Sequence, residues 1–112
     1  MDTLTQDAVE AVLSYDFAEN ELSPAGFVAD NFCLICGRYG AERHHVFCGT
    51  ANRAVSDFYG LVVPLCRDHH REAHDHPNKG LDILLKQSAQ GYFEKHYGTR
   101  EQFIKSFGRS WL

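Results

Sequence analysis

The sequence predicts an α+β fold: a small zinc-stapled core of a two-stranded hairpin and a helix, with additional N- and C-terminal helices. Three features support this prediction: two Cys/His pairs with metal-ligand spacing, two short apolar runs typical of strands, and flanking amphipathic stretches. The chain has 112 residues, so we expect one domain, small enough that bound zinc would help to stabilise it. Its 44% hydrophobic and 23% charged residues are ordinary for a globular protein.

The first ligand set consists of two pairs, each with a two-residue gap: Cys33 with Cys36, and Cys66 with His69. Such a gap lets both side chains of a tight turn face one ion, and Gly37 supplies a residue that tolerates positive φ there. Four sulfur and nitrogen ligands favour tetrahedral Zn2+ in a closed, structural site. The alternative is four unrelated buried residues, because cysteine is often a small apolar core residue. Two such pairs in so short a chain favour zinc.

The second ligand set consists of four histidines in two tight pairs, His44 with His45 and His70 with His74. His70 and His74 stand four residues apart and therefore share one face of a helix. His70 directly follows the zinc ligand His69, so the structural metal would fix the start of that helix. Imidazole is a common metal ligand and the usual general base near neutral pH. The alternative, exposed surface histidines, is disfavoured for two tight pairs beside a zinc knuckle.

Together, the patterns C-x2-C, E-x-H-H and L-C-x2-H-H-x3-H resemble the HNH nucleases, the ββα-metal or His-Me finger family, over about residues 31–76. The chain looks most similar to small phage and prophage HNH proteins, a group that includes a recombination-enhancing nuclease. Some of them share the G-L-V-V-P-L-C run and an ending like F-G-R-S-W-L, which extends the resemblance to the C-terminus. The resemblance implies a ββα-metal core and an endonuclease that hydrolyses DNA phosphodiester bonds to a 5′-phosphate and a 3′-hydroxyl.

In terms of residues, the resemblance implies that His44, His70 and His74 hold a catalytic metal and that His45 is the general base. That metal would be Mg2+ or Mn2+, with Zn2+ or Ni2+ as other ions that the site binds. Glu42 is a candidate for orienting one of the histidines, and the alternative is a solvated strand residue. Neighbouring strand residues face opposite ways, so His44 and His45 must lie at a strand end or bulge if both are to reach one site.

One position departs from the family pattern, because the middle asparagine of the motif falls here on Leu61. Asn52 is the candidate to replace it from a longer loop. Arg43 and Arg53, together with Asn52, are candidate DNA contacts, although most loop arginines are merely solvated. The missing asparagine favours an alternative function, a catalytically weak zinc-stapled module that binds DNA or protein. A further alternative is an accessory factor of a phage recombination or packaging complex.

Charge is distributed unevenly along the chain. Residues 1–30 carry 7 acidic and no basic residues, a net charge of −7, whereas residues 31–112 carry the other 8 acids and all 11 bases, a net charge of +3. A mildly basic part suits DNA as a partner. We therefore divide the chain into an acidic N-terminal helical extension, 1–28, and the HNH nuclease domain, 29–112. The acidic extension is either a solvated helix, which is the favoured interpretation, or a cover for the basic face or a partner surface.

The compartment is predicted from the termini and the cysteines. The N-terminus lacks the basic region of a secretory signal, and no apolar run approaches the ~20 residues of a membrane helix. We therefore expect a cytoplasmic protein without membrane association, in which cysteines serve as metal ligands rather than disulfides. Cys48 is left over and is expected to be unliganded.

Local patterns also predict the elements. They indicate a helix over 3–17, strands over about 43–47 and 61–65, a polar loop over 48–60, a helix over 82–97 and a short helix from Thr99. Thr3 and Gln6 resemble a capping box for the first helix. Asp68 is expected to cap the helix that carries His70 and His74.

Overall fold

The structure is a computed structural model of the protein, and it describes residues 5–18 and 31–112. These residues form five α-helices and one two-stranded antiparallel sheet, which confirms the α+β class. The elements are α1 (Gln6–Ser14), β1 (Glu42–His45), α2 (Thr50–Tyr59), β2 (Val62–Leu65), α3 (Arg67–Asp75), α4 (Gly80–His96) and α5 (Arg100–Phe107). The predicted domain boundary after residue 28 lies outside the described residues. Within the described ranges, none of the helices combines the length and apolar character needed to span a bilayer.

The hairpin pairs β1 with β2 residue by residue, from Glu42 opposite Leu65 to His45 opposite Val62. This regular register leaves no bulge between the two strands, so successive β1 side chains face opposite sides. His44 is buried, whereas His45 on the other side is partly exposed. His45 is the last residue of β1, so the strand ends two residues earlier than predicted.

The segment between the strands is helix α2, and the prediction of a loop there is wrong. Its small and polar residues are typical of a loop, but the inward side chains recur at helical spacing. Ser56 is fully buried, and Val55 and Tyr59 pack against the core. Gly60, with φ of 69°, ends the helix in the left-handed conformation that glycine accommodates best. The connection between the strands is therefore a packed helix.

Helix α3 begins immediately after β2, with Cys66 as its N-cap residue. The prediction that Asp68 caps this helix is wrong, because the extended backbone at Cys66 starts the helix two residues earlier. Asp68 lies in the first turn and accepts a hydrogen bond from Arg38 at 3.1 Å. The residues that follow Cys66 are thus helical from the start, including His69, His70 and His74.

The remaining helices pack around this hairpin and helix. The long helix α4 contacts α1, α3 and α5, and it buries Leu85, Ala89 and Phe93. Helix α5 starts with a capping box in which Thr99 and Gln102 satisfy each other's backbone N–H groups. The aromatic side chains of α5 and the C-terminal Trp111 surround Phe47, the second residue after β1.

Helix α1 is shorter than predicted and is capped by Thr5, whose hydroxyl accepts a hydrogen bond from the Ala8 amide at 3.1 Å. The predicted cap Thr3 lies outside the described residues. Val12 on α1 and Phe17 just beyond it belong to the same buried cluster as the hairpin and α4. The described part of the N-terminal extension therefore contributes to the core.

Candidate metal centres and the neighbouring histidine

The four predicted zinc ligands come together at one end of the hairpin. The ligand atoms of Cys33, Cys36, Cys66 and His69 all lie within 4.8 Å of one another. The sulfur atoms of Cys36 and Cys66 are 3.8 Å apart, and His69 Nδ1 lies 3.5 Å from the Cys33 sulfur and 3.2 Å from the Cys66 sulfur. Tetrahedral zinc, with Zn–S bonds of about 2.3 Å, separates two sulfur ligands by about 3.8 Å and a sulfur from a nitrogen by about 3.6 Å. This Cys3His cluster could bind a metal such as zinc.

Two tight structures bring the pairs together. The Cys33 turn closes through a hydrogen bond from the Gly37 amide to the Cys33 carbonyl at 2.9 Å, and Gly37 has the expected positive φ, 76°. The Leu34 amide donates to the Pro64 carbonyl at 2.8 Å, which attaches this turn to the edge of β2. Cys66 directly follows that strand as the N-cap residue of α3, so the turn and the first residues of α3 meet at one point.

Hydrogen bonds prepare Cys33 to bind a metal. Burial acts to raise the pKa of its thiol, but hydrogen bonds from backbone amides and from the His69 side chain outweigh burial and lower the pKa to about 6. One of these donors is the Ile35 amide, 3.4 Å from the sulfur. For Cys66, burial and the neighbouring cysteines raise the pKa of the thiol. One thiolate is thus favoured before metal binds, and thiolate is the form that ligates zinc.

The second cluster joins β1 to α3. His44, His70 and His74 place a ring nitrogen each within 4.8 Å of the others and could hold a metal ion. Their ring centroids are 4.8 to 5.3 Å apart. His70 and His74 occupy successive turns of α3, as their spacing predicts, and His44 reaches them from the buried side of β1.

His44 is the central member of this cluster. Its side chain is 1% exposed, yet neither ring nitrogen has a hydrogen-bond partner in the described part of the chain. Burial, followed by repulsion from His70 and His74, lowers the pKa of His44 to about 3, so the ring is neutral near pH 7. A buried polar group without a partner is costly, and a neutral imidazole nitrogen is a good metal ligand. The side chain therefore fits a metal better than it fits the core.

Glu42 supports the cluster from two residues upstream on the same side of β1. Its Oε1 lies 3.0 Å from His70 Nδ1, so an ionised Glu42 accepts a hydrogen bond from that nitrogen and leaves His70 Nε2 as the lone-pair donor. Carboxylates commonly orient metal-binding imidazoles in this way. The sequence interpretation of Glu42 as an orienting residue therefore matches its position.

His45 turns to the other side of β1 and meets α2. Its Nε2 lies 3.0 Å from Asp57 Oδ1, and the Arg43 Nε donates to that same oxygen at 3.1 Å. Burial acts to raise the pKa of Asp57, but the hydrogen bonds from Arg43 and His45 outweigh it and hold the pKa below its ordinary value. Arg43 was a candidate DNA contact, and in this structure its guanidinium is engaged with Asp57.

A cavity of about 400 Å³ opens beside the histidine cluster, lined by Cys48, Gly49, Arg53 and His74. Arg53 is exposed on the first turn of α2, and its charge lowers the pKa of His74 in addition to the larger effects of burial and His70. Asn52 points elsewhere, because its side-chain amide donates to the Phe107 carbonyl at 3.5 Å. The structure thus places Arg53, but not the side chain of Asn52, at this cavity.

A buried ion pair on α4 lies near the histidines. Lys86 Nζ is 2.8 Å from Asp82 Oδ2, and both side chains are at most 7% exposed. Lys86 contributes to the low pKa of His44, and Asp82 opposes the lowering of the pKa of His74. Asn78 contacts both partners: its backbone amide donates a hydrogen bond to Asp82, and its side-chain oxygen accepts one from Lys86.

Sequence reasoning missed two residues of α2, one that contacts His45 and one that contacts the segment after it. Asp57 contacts the ring, and Ser56, which is fully buried, donates its hydroxyl to the Phe47 carbonyl at 3.0 Å. Both lie on α2, which polar composition suggested to be a loop. The available signal was the helical spacing of Asn52, Val55, Ser56 and Tyr59, because a helix would direct that face inward.

No protein-family model, curated protein or solved structure matches this chain.

Proposed function

We propose that this protein is a metal-dependent endonuclease of the HNH type that hydrolyses DNA phosphodiester bonds. The observation that carries the proposal is His44, a buried histidine at the centre of a three-imidazole cluster, whose ring nitrogens have no hydrogen-bond partner among residues 5–18 and 31–112. Its neighbour His45 is the last residue of the same strand, the strand-end position that the proposal requires if both histidines are to act at one phosphate, and its ring contacts a carboxylate. A three-histidine metal site with an adjacent oriented histidine suits hydrolysis, which requires a Lewis acid and a base.

In this proposal His44, His70 and His74 would hold one divalent ion, Mg2+ or Mn2+, with Zn2+ or Ni2+ as other ions that three imidazoles suit. When bound, the ion supplies Lewis-acid chemistry that stabilises negative charge on the phosphate and on the leaving 3′ oxygen. His45 accepts a proton from water as the water oxygen forms a bond to phosphorus. The bond from phosphorus to the 3′ oxygen then breaks, and that oxygen takes a proton from a second water molecule. The products are a 5′-phosphate and a 3′-hydroxyl. Zn2+ in the Cys3His site has a structural role in this scheme.

DNA is the proposed substrate because of charge as well as resemblance. Residues 31–112 carry a net charge of +3, and Arg53 lies at the cavity beside His74. A guanidinium at that position suits a phosphate oxygen next to the metal site. The proposal assigns Arg53 to substrate binding and leaves Arg43 to its contact with Asp57.

The test is nicking of supercoiled plasmid across a titration of Mg2+ and Mn2+, with metal content measured on the same preparations. His45→Ala should keep both metals and the fold while cleavage falls by about two to four orders of magnitude, the usual contribution of a positioned base. His44→Ala and His74→Ala should lose the second metal selectively and keep the zinc. His96→Ala is the matched control, because His96 is exposed at the end of α4 and belongs to neither cluster.

Full activity in His45→Ala would remove the general base from this scheme. An inactive wild type with every metal would favour the alternative function, a zinc-stapled binding module. One observation favours that alternative: Leu61, at the position of the family asparagine, is fully buried in the core, and Asn52 is turned toward α5. DNA binding without cleavage in a gel-shift assay would then identify the module.

A further inference from the structure

We propose that Asp57 is a positioning residue for His45: it fixes the ring on the tautomer protonated at Nε2 and so makes Nδ1 the atom that accepts the proton. This inference rests on the proposed function for its catalytic consequence. The contact itself stands on geometry alone.

A single carboxylate oxygen of Asp57 accepts hydrogen bonds from both His45 and Arg43. Asp57 Oδ1 lies 3.0 Å from His45 Nε2, 3.1 Å from Arg43 Nε and 2.5 Å from Arg43 Nη2. The histidine and arginine side chains are each 20% exposed and Asp57 is 47% exposed, so the group lies at the surface but is partly shielded from water. Two donors from a planar guanidinium fix the carboxylate more tightly than a lysine would.

The chemistry of the partners determines the tautomer. An ionised carboxylate has no proton to donate, so His45 Nε2 must be the donor in this hydrogen bond. A neutral imidazole carries one ring proton, and therefore Nδ1 holds the free lone pair. The lowered pKa of Asp57 is consistent with an ionised carboxylate at neutral pH.

The backbone around Asp57 is anchored to the segment that follows His45. The hydroxyl of Ser56 donates to the Phe47 carbonyl at 3.0 Å, and the Leu61 amide donates to the Ser56 carbonyl at 2.8 Å. Asp57 therefore belongs to a helix that is tied two residues beyond His45. The carboxylate and the imidazole therefore belong to two elements that are hydrogen-bonded to each other next to this contact, which limits how far the two side chains can separate.

In this scheme His45 gains one proton and Asp57 gains none. During attack one proton moves from water to His45 Nδ1, and Nε2 keeps its own proton. The ring becomes an imidazolium whose positive charge faces the Asp57 carboxylate, which stays ionised. Asp57 thus stabilises the charge that develops on the base without itself exchanging a proton, as carboxylates do in other histidine-based sites.

The experiment combines a spectroscopic readout with kinetics on wild type, Asp57→Asn, Asp57→Ala and Asp57→Glu. Long-range 1H–15N correlation spectra at about pH 8, where histidines are neutral, report the tautomer of His45 directly. Wild type should show Nε2–H alone. The asparagine and alanine variants should show a mixture, because an amide can accept or donate and a methyl group can do neither. Glutamate should partly restore the Nε2–H form.

In nicking assays the asparagine and alanine variants should lose about 10- to 100-fold in kcat with KM unchanged and both metals retained, the usual effect of removing a partner that orients an imidazole. Glu94→Gln is the matched control, because it removes the carboxylate of another arginine pair, with Arg100, away from His45. A pure Nε2–H spectrum in Asp57→Asn together with unchanged kcat would overturn the proposal. A wild type that cleaves nothing would overturn the proposed function instead, and the spectra would still decide the Asp57 contact.

Discussion

At the scale of single residues, His44 makes the stability of the protein depend on pH. Its pKa is lowered from 6.5 to about 3 by burial and by the neighbouring histidines, so the unfolded chain takes up this proton more readily than the folded one. The contribution of the neutral His44 ring to the free energy of unfolding is therefore fully present well above pH 6.5 and is lost as the pH falls toward 3. Without metal in the histidine cluster, we expect a loss of about 2 kcal/mol between pH 6.5 and 5 from this residue.

Urea unfolding at several pH values measures this slope. His44→Asn removes the titrating ring, so the loss of stability between pH 6.5 and 5 should become smaller by the same amount. Divalent metal should stabilise wild type at pH 7 but not this variant, because the variant lacks the imidazole of His44 that completes the cluster. Identical pH slopes in the two proteins would show that His44 titrates normally and is not buried as described.

The metal ligands and the partner of His45 differ in how far sequence could predict them. The gaps in Cys33/Cys36 and in His70/His74 are local, and local spacing alone puts such side chains on one turn or one helix face. The structure brings those residues together as the spacing predicts. Asp57 lies 12 residues from His45, and its contact depends on how α2 packs against β1, which no local pattern specifies.

At the scale of elements, α2 is the part of the fold that the sequence predicted incorrectly. Its polar residues favour a loop by composition. The inward face, which consists of buried Ser56 and partly buried Asn52, Val55 and Tyr59, stabilises a helix only when α5 and the hairpin are present to cover it. The strands and α3 were easier to predict. A short apolar run indicates each strand, and the four-residue spacing of His70 and His74 indicates the helix. Tertiary packing therefore outweighed local preference in α2.

Ser56→Ala tests how α2 is attached. The change removes the hydroxyl that donates to the Phe47 carbonyl, so we expect a loss of about 1 to 2 kcal/mol in the free energy of unfolding. Ser14→Ala is the control, because Ser14 is exposed and its hydroxyl donates to carbonyls of its own helix, Glu10 and Ala11, rather than to another element. Equal stabilities of the two variants in urea would contradict the role of Ser56 as an anchor.

At the scale of the whole molecule, the Cys3His cluster connects the segment before β1 to the start of α3. We expect one tightly bound zinc per chain, and Cys33→Ser should lower the melting temperature sharply, because metal binding contributes folding free energy to so small a protein. Cys48→Ser should change it little, since Cys48 is exposed and outside both clusters. A metal-free protein that keeps the full melting temperature would contradict a structural zinc.

The acidic N-terminal segment can be tested without removing it. Truncation would delete Val12 and Phe17 from the core, so neutralising the exposed acids Asp7, Glu10 and Asp16 with their amides is the cleaner change. If their charge repels DNA, affinity at low salt should rise and its salt dependence should steepen. The difference should vanish at high salt, where these charges are screened. Unchanged binding at low salt would leave the segment as a packing element.

The regular pairing of β1 has a consequence for how this site can change over time. Neighbouring residues of one strand face opposite sides, so His44 contacts α3 and His45 contacts α2. The element that each histidine contacts is therefore determined by whether its position along the strand is odd or even. A single-residue insertion or deletion within Glu42–His45 would exchange the two sides and separate both histidines from their present partners at once. The four-residue strand therefore has to keep its length.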